Sequence, residues 1–372
     1  MKKLVAALLA ACMLLALCAC TAGSKPAQTS KPAEAAIREI TDMLGRKVAI
    51  PAEVKTIVLL GNTPRMITYL GLADKVVGYS GMQPEKLTPV VAYAYTNMDK
   101  WAKVPIVGTD AGGNNDYYPE QIIAVHPDVI LCTCPKEQAD SIQQQTNIPV
   151  VAVSQGTLFG EDYDKSLLML GEVCGVNDRA EAVVAYIHQC LDDLAARTAA
   201  IKDGDKPSVL SAAATFKGIH GIEGVRISDP VLTAAGAKNA ASGDSGKGNA
   251  VIVDKEQILG WNPDMIFLDS GGVKLVKKDA QDKPDFYAKL AAFTNGRVYQ
   301  YPSSTAYYSN LEIPLANSYY VASLLYPQQF KDIDINKKAN EIFKFFLGAD
   351  DYMSVLEQSG AGYGAVTLAG AK

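Results

Sequence analysis

The sequence predicts an α/β protein with two lobes of mostly parallel sheet joined by a single long connecting α-helix. Short, continuously apolar segments rich in Val and Ile alternate with helical patterns in both halves of the chain. Such segments are typical of parallel strands that helices cover on both faces. A long helical pattern begins at Asn177, between these halves. An internal repeat, in which residues 120–130 match residues 256–266, indicates that the two halves share a topology.

Nine segments predict strands, because each is short, apolar and bounded by turn residues. Helical patterns such as Arg65–Leu70 and Pro119–Val125 lie between most of them, as expected for βα units whose strands run parallel. The tail from Leu315 to Leu347 predicts further helices. The predicted strands are 48–50, 57–60, 76–79, 104–107, 129–132, 150–153, 209–213, 265–268 and 298–301.

The segment that follows Asn177 predicts the connecting helix. It runs for about two dozen residues without Gly or Pro before Gly204, which is long for a globular helix. Val183 and Ile187 belong to an apolar face at helical spacing. We therefore expect residues 157–203 to form a rigid helical connector between the lobes.

The internal repeat matches in detail. Six of its eleven positions are identical, including the Glu-Gln-Ile start and the Pro-Asp pair. Each copy predicts a helix that ends at Pro-Asp and continues into a buried strand. Glu120 and Glu256 open the two copies, where a carboxylate interacts favourably with the helix dipole. Helix stabilisation explains each glutamate singly, but it does not explain their matching positions in two lobes that otherwise share little sequence.

The first residues predict export and a lipid anchor. Lys2 and Lys3 precede an apolar run that is shorter than the roughly 20 residues a membrane span needs. The sequence Leu17-Cys18-Ala19-Cys20 resembles the bacterial lipobox, which predicts acylation at Cys20; Cys18 fits less well, because the bulky Leu17 precedes it. An ordinary signal peptide cleaved nearby is the alternative. We expect residues 1–19 to be a signal peptide, 20–37 a flexible tether, 38–156 the N-terminal lobe, and 204–372 the C-terminal lobe with its terminal helices.

Composition narrows the classes of function. The formal net charge is −5, whereas a nucleic-acid-binding domain requires a basic face, so we expect no nucleic-acid partner. The cysteines beyond Cys20 are too few and too scattered for a disulfide framework. Cys132 and Cys134 close an apolar strand with their sulfurs on the same side. We expect two thiols at the end of a core strand, with a metal site as the alternative.

The order of these motifs resembles the substrate-binding proteins of ABC importers for iron-siderophores, haem and cobalamin. Besides the repeat and the long helix, residues 40–51 are similar to the family's opening hairpin, residues 70–78 to its second βα unit, and residues 325–334 to the C-terminal helices of one branch. The resemblance implies two Rossmann-like lobes with a ligand cleft between them, no enzymatic activity and no cofactor of its own. It also implies a membrane permease with a cytoplasmic ATPase as partner, onto which Glu120 and Glu256 would dock.

Candidate ligand-binding residues follow from the predicted strand ends. Ligands of open α/β sheets lie beyond the carboxyl ends of the strands, which selects the loops after them. An iron-siderophore or haem carries negative charge and apolar bulk, so its receptor needs basic groups beside aromatic rings. His220, which lies among glycines, could ligate haem iron or donate to a carboxylate. The candidates are Arg65, Met82, Tyr117, Tyr118, Lys136, Lys217, His220, Arg226, Tyr307 and Tyr308.

Two other functions stay open on the residues alone. A receptor for a bare transition-metal ion would need several His and carboxylate ligands, and the chain has three histidines. An enzyme would need a catalytic motif; residues 243–248 match a phosphate loop only in part, because Ala241 and Gly248 stand where Gly and Ser or Thr are required. We therefore expect no catalytic residue, no bound metal ion, and a ferric chelate or tetrapyrrole as ligand.

Overall fold

An antiparallel hairpin begins the folded part of the chain. The computed structural model describes residues 36–82, 86–111, 114–241, 249–304 and 310–368. In the hairpin, β1 (Ile37–Thr41) pairs with β2 (Lys47–Pro51). The Asp42 carboxylate accepts a hydrogen bond from the Arg46 backbone N–H at 2.9 Å, and the Arg46 guanidinium reaches Asp140 of a later helix at 3.0 Å. The first bond closes the turn of the hairpin, and the second fixes the hairpin against the N-terminal lobe.

The N-terminal lobe contains a six-stranded sheet in the order β6-β5-β4-β3-β7-β8. All neighbours are parallel except β5 and β6, which form an antiparallel edge. Its two central strands are buried at every position, as their continuous apolar sequences predict. The strands are β3 (Ile57–Leu60), β4 (Val76–Ser80), β5 (Ile106–Ala111), β6 (Asn114–Tyr117), β7 (Val129–Cys132) and β8 (Val150–Ala152).

Two details of this sheet differ from the prediction. β5 begins at Ile106 and not at Val104, because the Val104 N–H closes the preceding helical turn on the Trp101 carbonyl at 3.0 Å. Pro105, which follows, has no N–H to offer a strand partner. β6 was not predicted, because its sequence Asn-Asn-Asp-Tyr is polar and carries no apolar signal. The helices of this lobe are α1 (Thr63–Tyr69), α2 (Ala92–Thr96), α3 (Met98–Trp101), α4 (Pro119–Ala124) and α5 (Lys136–Thr146).

The connector segment forms two helices packed against each other. The first, α6 (Glu161–Cys174), ends at Gly175, which adopts a left-handed conformation with φ of 73°. The second, α7 (Asn177–Thr198), is the long helix that the sequence predicts, with 22 residues. Its buried face includes Val183 and Ile187.

The C-terminal lobe contains the second sheet, whose main path runs in the order β12-β10-β9-β13-β14-β15, with β11 also pairing with β9. The pairs of β9 with β13, β13 with β14 and β9 with β11 are parallel, whereas those of β10, β12 and β15 are antiparallel. The strands are β9 (Ser208–Ala212), β10 (Gly224–Arg226), β11 (Lys238–Asn239), β12 (Ala250–Ile252), β13 (Met265–Asp269), β14 (Val298–Tyr301) and β15 (Gly364–Ala365).

The terminal helices are interrupted once. The predicted helical tail from Leu315 to Leu347 is two helices, because Pro327 stops the first and the Asp334 carboxylate caps the second by accepting from the Lys337 N–H at 3.1 Å. The helices of this half are α8 (Pro230–Ala234), α9 (Lys255–Trp261), α10 (Val273–Asp282), α11 (Pro284–Tyr287), α12 (Ala291–Thr294), α13 (Glu312–Leu325), α14 (Ile335–Leu347) and α15 (Tyr352–Gln358).

One buried core is shared by both lobes, and the described residues from Ile37 onward form a single compact unit. Along β3 and β13, alternate residues such as Leu59 and Phe267 enter this common core, while their neighbours enter separate clusters on the outer faces of the sheets. The α14 helix returns to the N-terminal lobe, where Phe346 packs edge-to-face on Tyr69 with ring centroids 5.1 Å apart. Arg179 of α7 donates to the Tyr69 carbonyl at 2.9 Å.

The internal repeat has the same geometry in both lobes. α4 leads to β7, and α9 leads to β13. Each helix ends at a left-handed residue, His126 with φ of 48° or Asn262 with φ of 39°. In each copy the Pro-Asp aspartate then accepts a backbone N–H at the start of the neighbouring strand: Asp128 from Thr56 at 2.9 Å, and Asp264 from Ser208 at 2.8 Å. The duplicated topology that the sequence predicts is therefore confirmed.

The expectation of two thiols at the end of β7 is wrong. Cys132 and Cys134 form a disulfide with their Cα atoms 5.5 Å apart. The spacing that puts both sulfurs on one side of an extended segment also brings them within bonding reach. Cys174 and Cys190 are buried thiols.

Over the ranges that the structure describes, no helix is long and apolar enough to cross a membrane.

Candidate functional site

The carboxyl ends of the parallel strands form an edge in each lobe, here called its carboxyl edge. In the N-terminal lobe the loops after β3, β4, β7 and β8 lie there, and in the C-terminal lobe those after β9, β13 and β14. Contacts connect the two edges directly: Arg65, two residues into α1, donates from Nε to Oδ1 of Asn310 at 3.0 Å. Asn310 in turn donates to the Val90 carbonyl at 3.2 Å.

Arg65 is the most deeply placed of those predicted ligand residues that the structure describes. Its side chain is 1% exposed, and its guanidinium lies 4.3 Å from the centroid of the Tyr93 ring. The combination of a cation and an aromatic face is the one that the sequence predicts for the site. Arg65 also joins the lobes through Asn310.

A buried carboxylate organises part of the N-terminal edge. Asp110 accepts hydrogen bonds from the Gly61 N–H at 3.2 Å, from the Ser80 hydroxyl, and from the Tyr117 hydroxyl at 3.1 Å. Burial raises the pKa of the Asp110 carboxyl, and these hydrogen bonds together with Arg65 lower it in part. Hydrogen bonds to the Asp110 side chain thus join the ends of β3, β4 and β6.

The loop after β7 is fixed by the disulfide and by Thr133 between its two cysteines. The Thr133 Oγ1 accepts from the Asn62 N–H at 2.7 Å, and the Thr133 N–H donates to the Leu60 carbonyl at 3.3 Å. Gly61 closely approaches Thr133 and has φ of 70°, so a side chain at Gly61 would collide with it. The loops after β3 and β7 therefore interlock.

Asp269 organises the C-terminal edge. It is the last residue of β13 and is 1% exposed. It accepts from the Gly271 N–H at 2.9 Å, from the N–H and hydroxyl of Thr215 at 3.3 and 3.2 Å, and from the Ser303 hydroxyl at 3.0 Å. Burial raises the pKa of this carboxyl, and Arg226, whose Nη2 lies 3.7 Å from Oδ2, lowers it in part.

Arg226, at the end of β10, is surrounded by polar groups of its own lobe. Burial lowers the pKa of Arg226, but Asp229, Tyr301 and Asp269 outweigh that effect and leave the pKa raised. Its side chain keeps 13% of its surface exposed. Arg226 is therefore a permanent cation at the C-terminal edge.

The loop after β9 carries two further candidates. Lys217 is exposed and has φ of 47°, and Ile219 is 56% exposed. His220 bonds through Nε2 to the Phe216 carbonyl at 2.8 Å, and its ring lies 4.4 Å from the Phe216 ring. Unless this bond is broken, only Nδ1 of His220 is left to meet a ligand.

The remaining predicted ligand residues differ from one another in burial and in contacts. Met82 is half-buried against the shared core, and Tyr118 is 37% exposed. Lys136 opens α5 and pairs with Asp140 at 2.6 Å on an exposed surface. Tyr307 and Tyr308 lie outside the described residues, as do Cys20 and the partial phosphate-loop match at 243–248.

Glu312, which the sequence did not single out, lies at the junction of the lobes. It is fully buried, and one of its oxygens accepts from the Tyr69 hydroxyl. Burial raises its pKa to about 7, while the Tyr69 hydrogen bond and Arg65 lower it in part. Asp269 could have been found in the sequence as a charged residue that directly ends an apolar strand; Glu312 has no such local signal.

The predicted docking residues lie on exposed helix starts. Glu120 and Glu256 are both exposed, in the first turns of α4 and α9. Two positions after each glutamate, Ile122 and Ile258 are buried and anchor their helices. Within the described ranges, no group of three or more His, Cys, Asp and Glu side chains could hold a metal ion.

Comparisons with known proteins agree with this architecture. Residues 57–305 match the family model described as periplasmic binding protein. The chain is 28% identical over 332 residues to the uncharacterized ABC transporter substrate-binding lipoprotein YvrC of Bacillus subtilis, covering 88% of this chain and 98% of that protein. It is 26% identical to the molybdate-binding protein MolA of Haemophilus influenzae, with 83% and 90% covered.

A solved structure supports the same fold. The periplasmic solute binding protein from Veillonella parvula superposes with a TM-score of 0.68 at 20% identity, covering 87% of this chain and 98% of that one. The resemblance predicted from the sequence motifs is thereby confirmed at the level of family and fold. The chain belongs to the periplasmic binding protein family: it is a substrate-binding protein of the ABC-transporter class, and not an enzyme.

Proposed function

We propose that this protein captures a metal chelate between its two carboxyl edges and delivers it to an ABC permease. The ligand class is a ferric siderophore, haem or a cobalamin-like complex. The observation that carries the proposal is the placement of one arginine at each edge, Arg65 beside the Tyr93 ring and Arg226 beside Tyr301. Guanidinium groups bind the carboxylates or oxygen donors of such chelates, and aromatic rings pack on their apolar parts.

A second candidate ligand is a small oxyanion such as molybdate. The 26% identical relative from Haemophilus influenzae is named a molybdate-binding protein. An oxyanion needs hydrogen-bond donors converging from several directions, and the guanidinium groups of Arg65 and Arg226 offer such donors, one from each edge. An oxyanion needs no aromatic contact. A chelate would pack on aromatic rings such as Tyr93 and Tyr301, whereas an oxyanion would bind only to the hydrogen-bond donors.

The first experiment identifies the ligand. Protein purified from its native host is analysed for bound metals by mass spectrometry and for an optical spectrum. It is then titrated by calorimetry with a ferric hydroxamate, a ferric catecholate, haemin, cyanocobalamin and sodium molybdate. A Soret band, a corrin spectrum or a ferric-siderophore band supports the chelate proposal. Molybdenum without any chromophore, and tight binding of molybdate alone, supports the oxyanion and contradicts the chelate.

The second experiment tests the basic residues. Alanine at Arg226 or Lys217 should weaken binding of the identified ligand about tenfold or more, since a charge-assisted hydrogen bond contributes roughly 1.5–3 kcal/mol. Arg65→Gln is the corresponding change at the interlobe arginine, because it removes the charge and leaves an amide N–H that can still donate to Asn310. Lys100→Ala is the matched control, an exposed lysine paired with Asp74 away from the edges. Unchanged affinity in all three site variants would contradict the cationic site.

Delivery requires contact with the permease. Glu120 and Glu256 offer one exposed carboxylate in each lobe at equivalent positions. Two separated contacts orient a two-lobed body over a pore, and each exposed ion pair is worth only about 0–1 kcal/mol, so they would set orientation more than affinity.

We also propose that acylated Cys20 anchors the protein to the outer face of the membrane. Cys20→Ser should move it from the membrane fraction to the soluble fraction, and an unlipidated mature N-terminus elsewhere would contradict this.

A further inference from the structure

The loops of the C-terminal carboxyl edge converge on a single side chain. Asp269 receives donors from the loop after β9 through Thr215, from the loop after β13 through Gly271, and from the segment after β14 through Ser303. The Arg226 guanidinium approaches the same carboxylate from β10 at 3.7 Å. The loops after β13 and after its two parallel neighbours, β9 and β14, are therefore all bonded to Asp269, which is itself 1% exposed.

We propose that Asp269 is a positioning residue for ligand: it holds these three loops and Arg226 in the one arrangement that meets the ligand, without contacting the ligand itself. This inference rests on the proposed function. Binding is stronger when the groups that contact a ligand are held in place beforehand, because less freedom is lost on association. A buried carboxylate suits this task, since its two oxygens accept several hydrogen bonds at once.

The packing of the loops shows why loss of this carboxylate would propagate. A side chain at Gly272 would collide with the backbone of His220 and with Ala213, so the loops after β9 and β13 are already in close contact. Their relative position is then set by the bonds from Asp269 to Thr215 and Gly271. An amide in place of the carboxylate keeps one acceptor oxygen and turns the other into a donor. The N–H of either Thr215 or Gly271 would face that donor and lose its partner.

The same strand provides a matched control. Asp264, at the start of the β13 segment, accepts from the Ser208 N–H at 2.8 Å, at the opposite end of the β9–β13 pair. Both aspartates join the same two strands, but only Asp269 lies at the carboxyl edge. Asp264→Ala therefore removes a strand-joining bond without touching the ligand side. A purely structural role for Asp269 predicts that the two variants behave alike.

The test compares Asp269→Asn with Asp264→Ala in the full-length protein. Amide hydrogen exchange should become at least about tenfold faster at Thr215 or Gly271 in the first variant and only near Ser208 in the second. Calorimetry with the probe that the wild type binds, sodium molybdate or the ferric chelate, should show about tenfold weaker binding for Asp269→Asn and unchanged binding for Asp264→Ala. If Asp269→Asn does not fold, Ser303→Ala and Thr215→Val remove single donors and should give smaller changes in the same direction.

Three results would overturn the proposal. They are unchanged exchange at both Thr215 and Gly271, unchanged probe affinity in Asp269→Asn despite faster exchange, or equal loss of affinity in the Asp264→Ala control. A wild-type protein that binds none of the probes would instead contradict the proposed ligand classes. In that case the exchange comparison still decides whether Asp269 holds the loops.

Discussion

The loops at the carboxyl edges of the two lobes are held in place by different chemistry. The repeat aligns β7 with β13, which places Thr133 of the N-terminal lobe where Asp269 stands in the C-terminal lobe. Thr133 accepts one N–H, from Asn62, and the disulfide between the two cysteines that flank it holds its loop. Asp269 uses no covalent bond and accepts from three loops. At the matching position, the N-terminal lobe therefore uses a covalent link and the C-terminal lobe a buried carboxyl, while Asp110 ties other parts of the N-terminal edge.

The opposite ends of the same strands are nearly identical. Both lobes keep the left-handed residue after the helix and the aspartate that caps the neighbouring strand, Asp128 or Asp264. The duplicated unit therefore retains its residues where they define the fold and differs at the carboxyl edge, where ligands of α/β proteins bind. Under the proposed function, we expect the two edges to meet different parts of one ligand.

The largest effect is expected at Glu312, which links the two lobes and so limits their independence. A buried carboxyl whose pKa rises from 4.5 to about 7 destabilises the fold by about 3 kcal/mol once it is ionised. Because the folded-state pKa is raised, stability should be greatest below about pH 4.5 for this group and should fall as the pH rises through 7. Glu312→Gln should remove that fall.

Urea unfolding at pH 5, 6.5 and 8 measures this effect. The groups that face Glu312 are Arg65, Tyr69, Tyr163 and Tyr352, of which the tyrosines stay neutral over this range because burial raises each pKa. Glu137→Gln, on an exposed helix start, is the control and should follow the wild type. Parallel pH curves for wild type and Glu312→Gln would show that Glu312 does not ionise between the lobes.

The docking positions test whether the lobes remain equivalent toward a partner. Glu120→Arg and Glu256→Arg should each lower uptake in cells about tenfold or more, because a reversed charge would oppose the permease instead of pairing with it. Ligand binding by the purified variants should stay at the wild-type value. Glu137→Arg, the same reversal on α5, should leave uptake unchanged. Full uptake by the double reversal at normal protein levels would exclude docking through these residues.

The smallest effect is expected from the disulfide. Replacing Cys132 and Cys134 by serine should lower the free energy of unfolding by roughly 1–2 kcal/mol, because the closed loop is very short. Hydrogen exchange should increase at Asn62, whose N–H is bonded to Thr133, and not at the C-terminal edge. If the Asn62 N–H keeps its protection, the bond to Thr133 suffices and the covalent link is not what fixes this edge.

Much of the fold was predictable because it depends on short-range patterns. Continuous apolar runs located the central strands, and the repeat located equivalent units. The edge strand β6 and the disulfide were missed, because polar sequence gives no strand signal and thiol pairing depends on local backbone geometry. The site was less predictable. Arg65 follows from its position after β3, whereas Arg226 was predicted in the loop after β9 and in fact ends the short strand β10. Glu312 is buried only because α13 meets Tyr69 from a distant part of the chain.

The return of α14 to the first lobe has a consequence for biogenesis. The N-terminal lobe is completed by Phe346 on Tyr69 and by the Tyr352 hydroxyl on the Pro89 carbonyl at 2.6 Å, contacts made by some of the last segments to be synthesised. A chain threaded through a membrane from its N-terminus therefore cannot finish its first lobe until nearly all of it has crossed. We therefore expect the N-terminal lobe of an exported chain to reach its full stability only after the final helices have emerged.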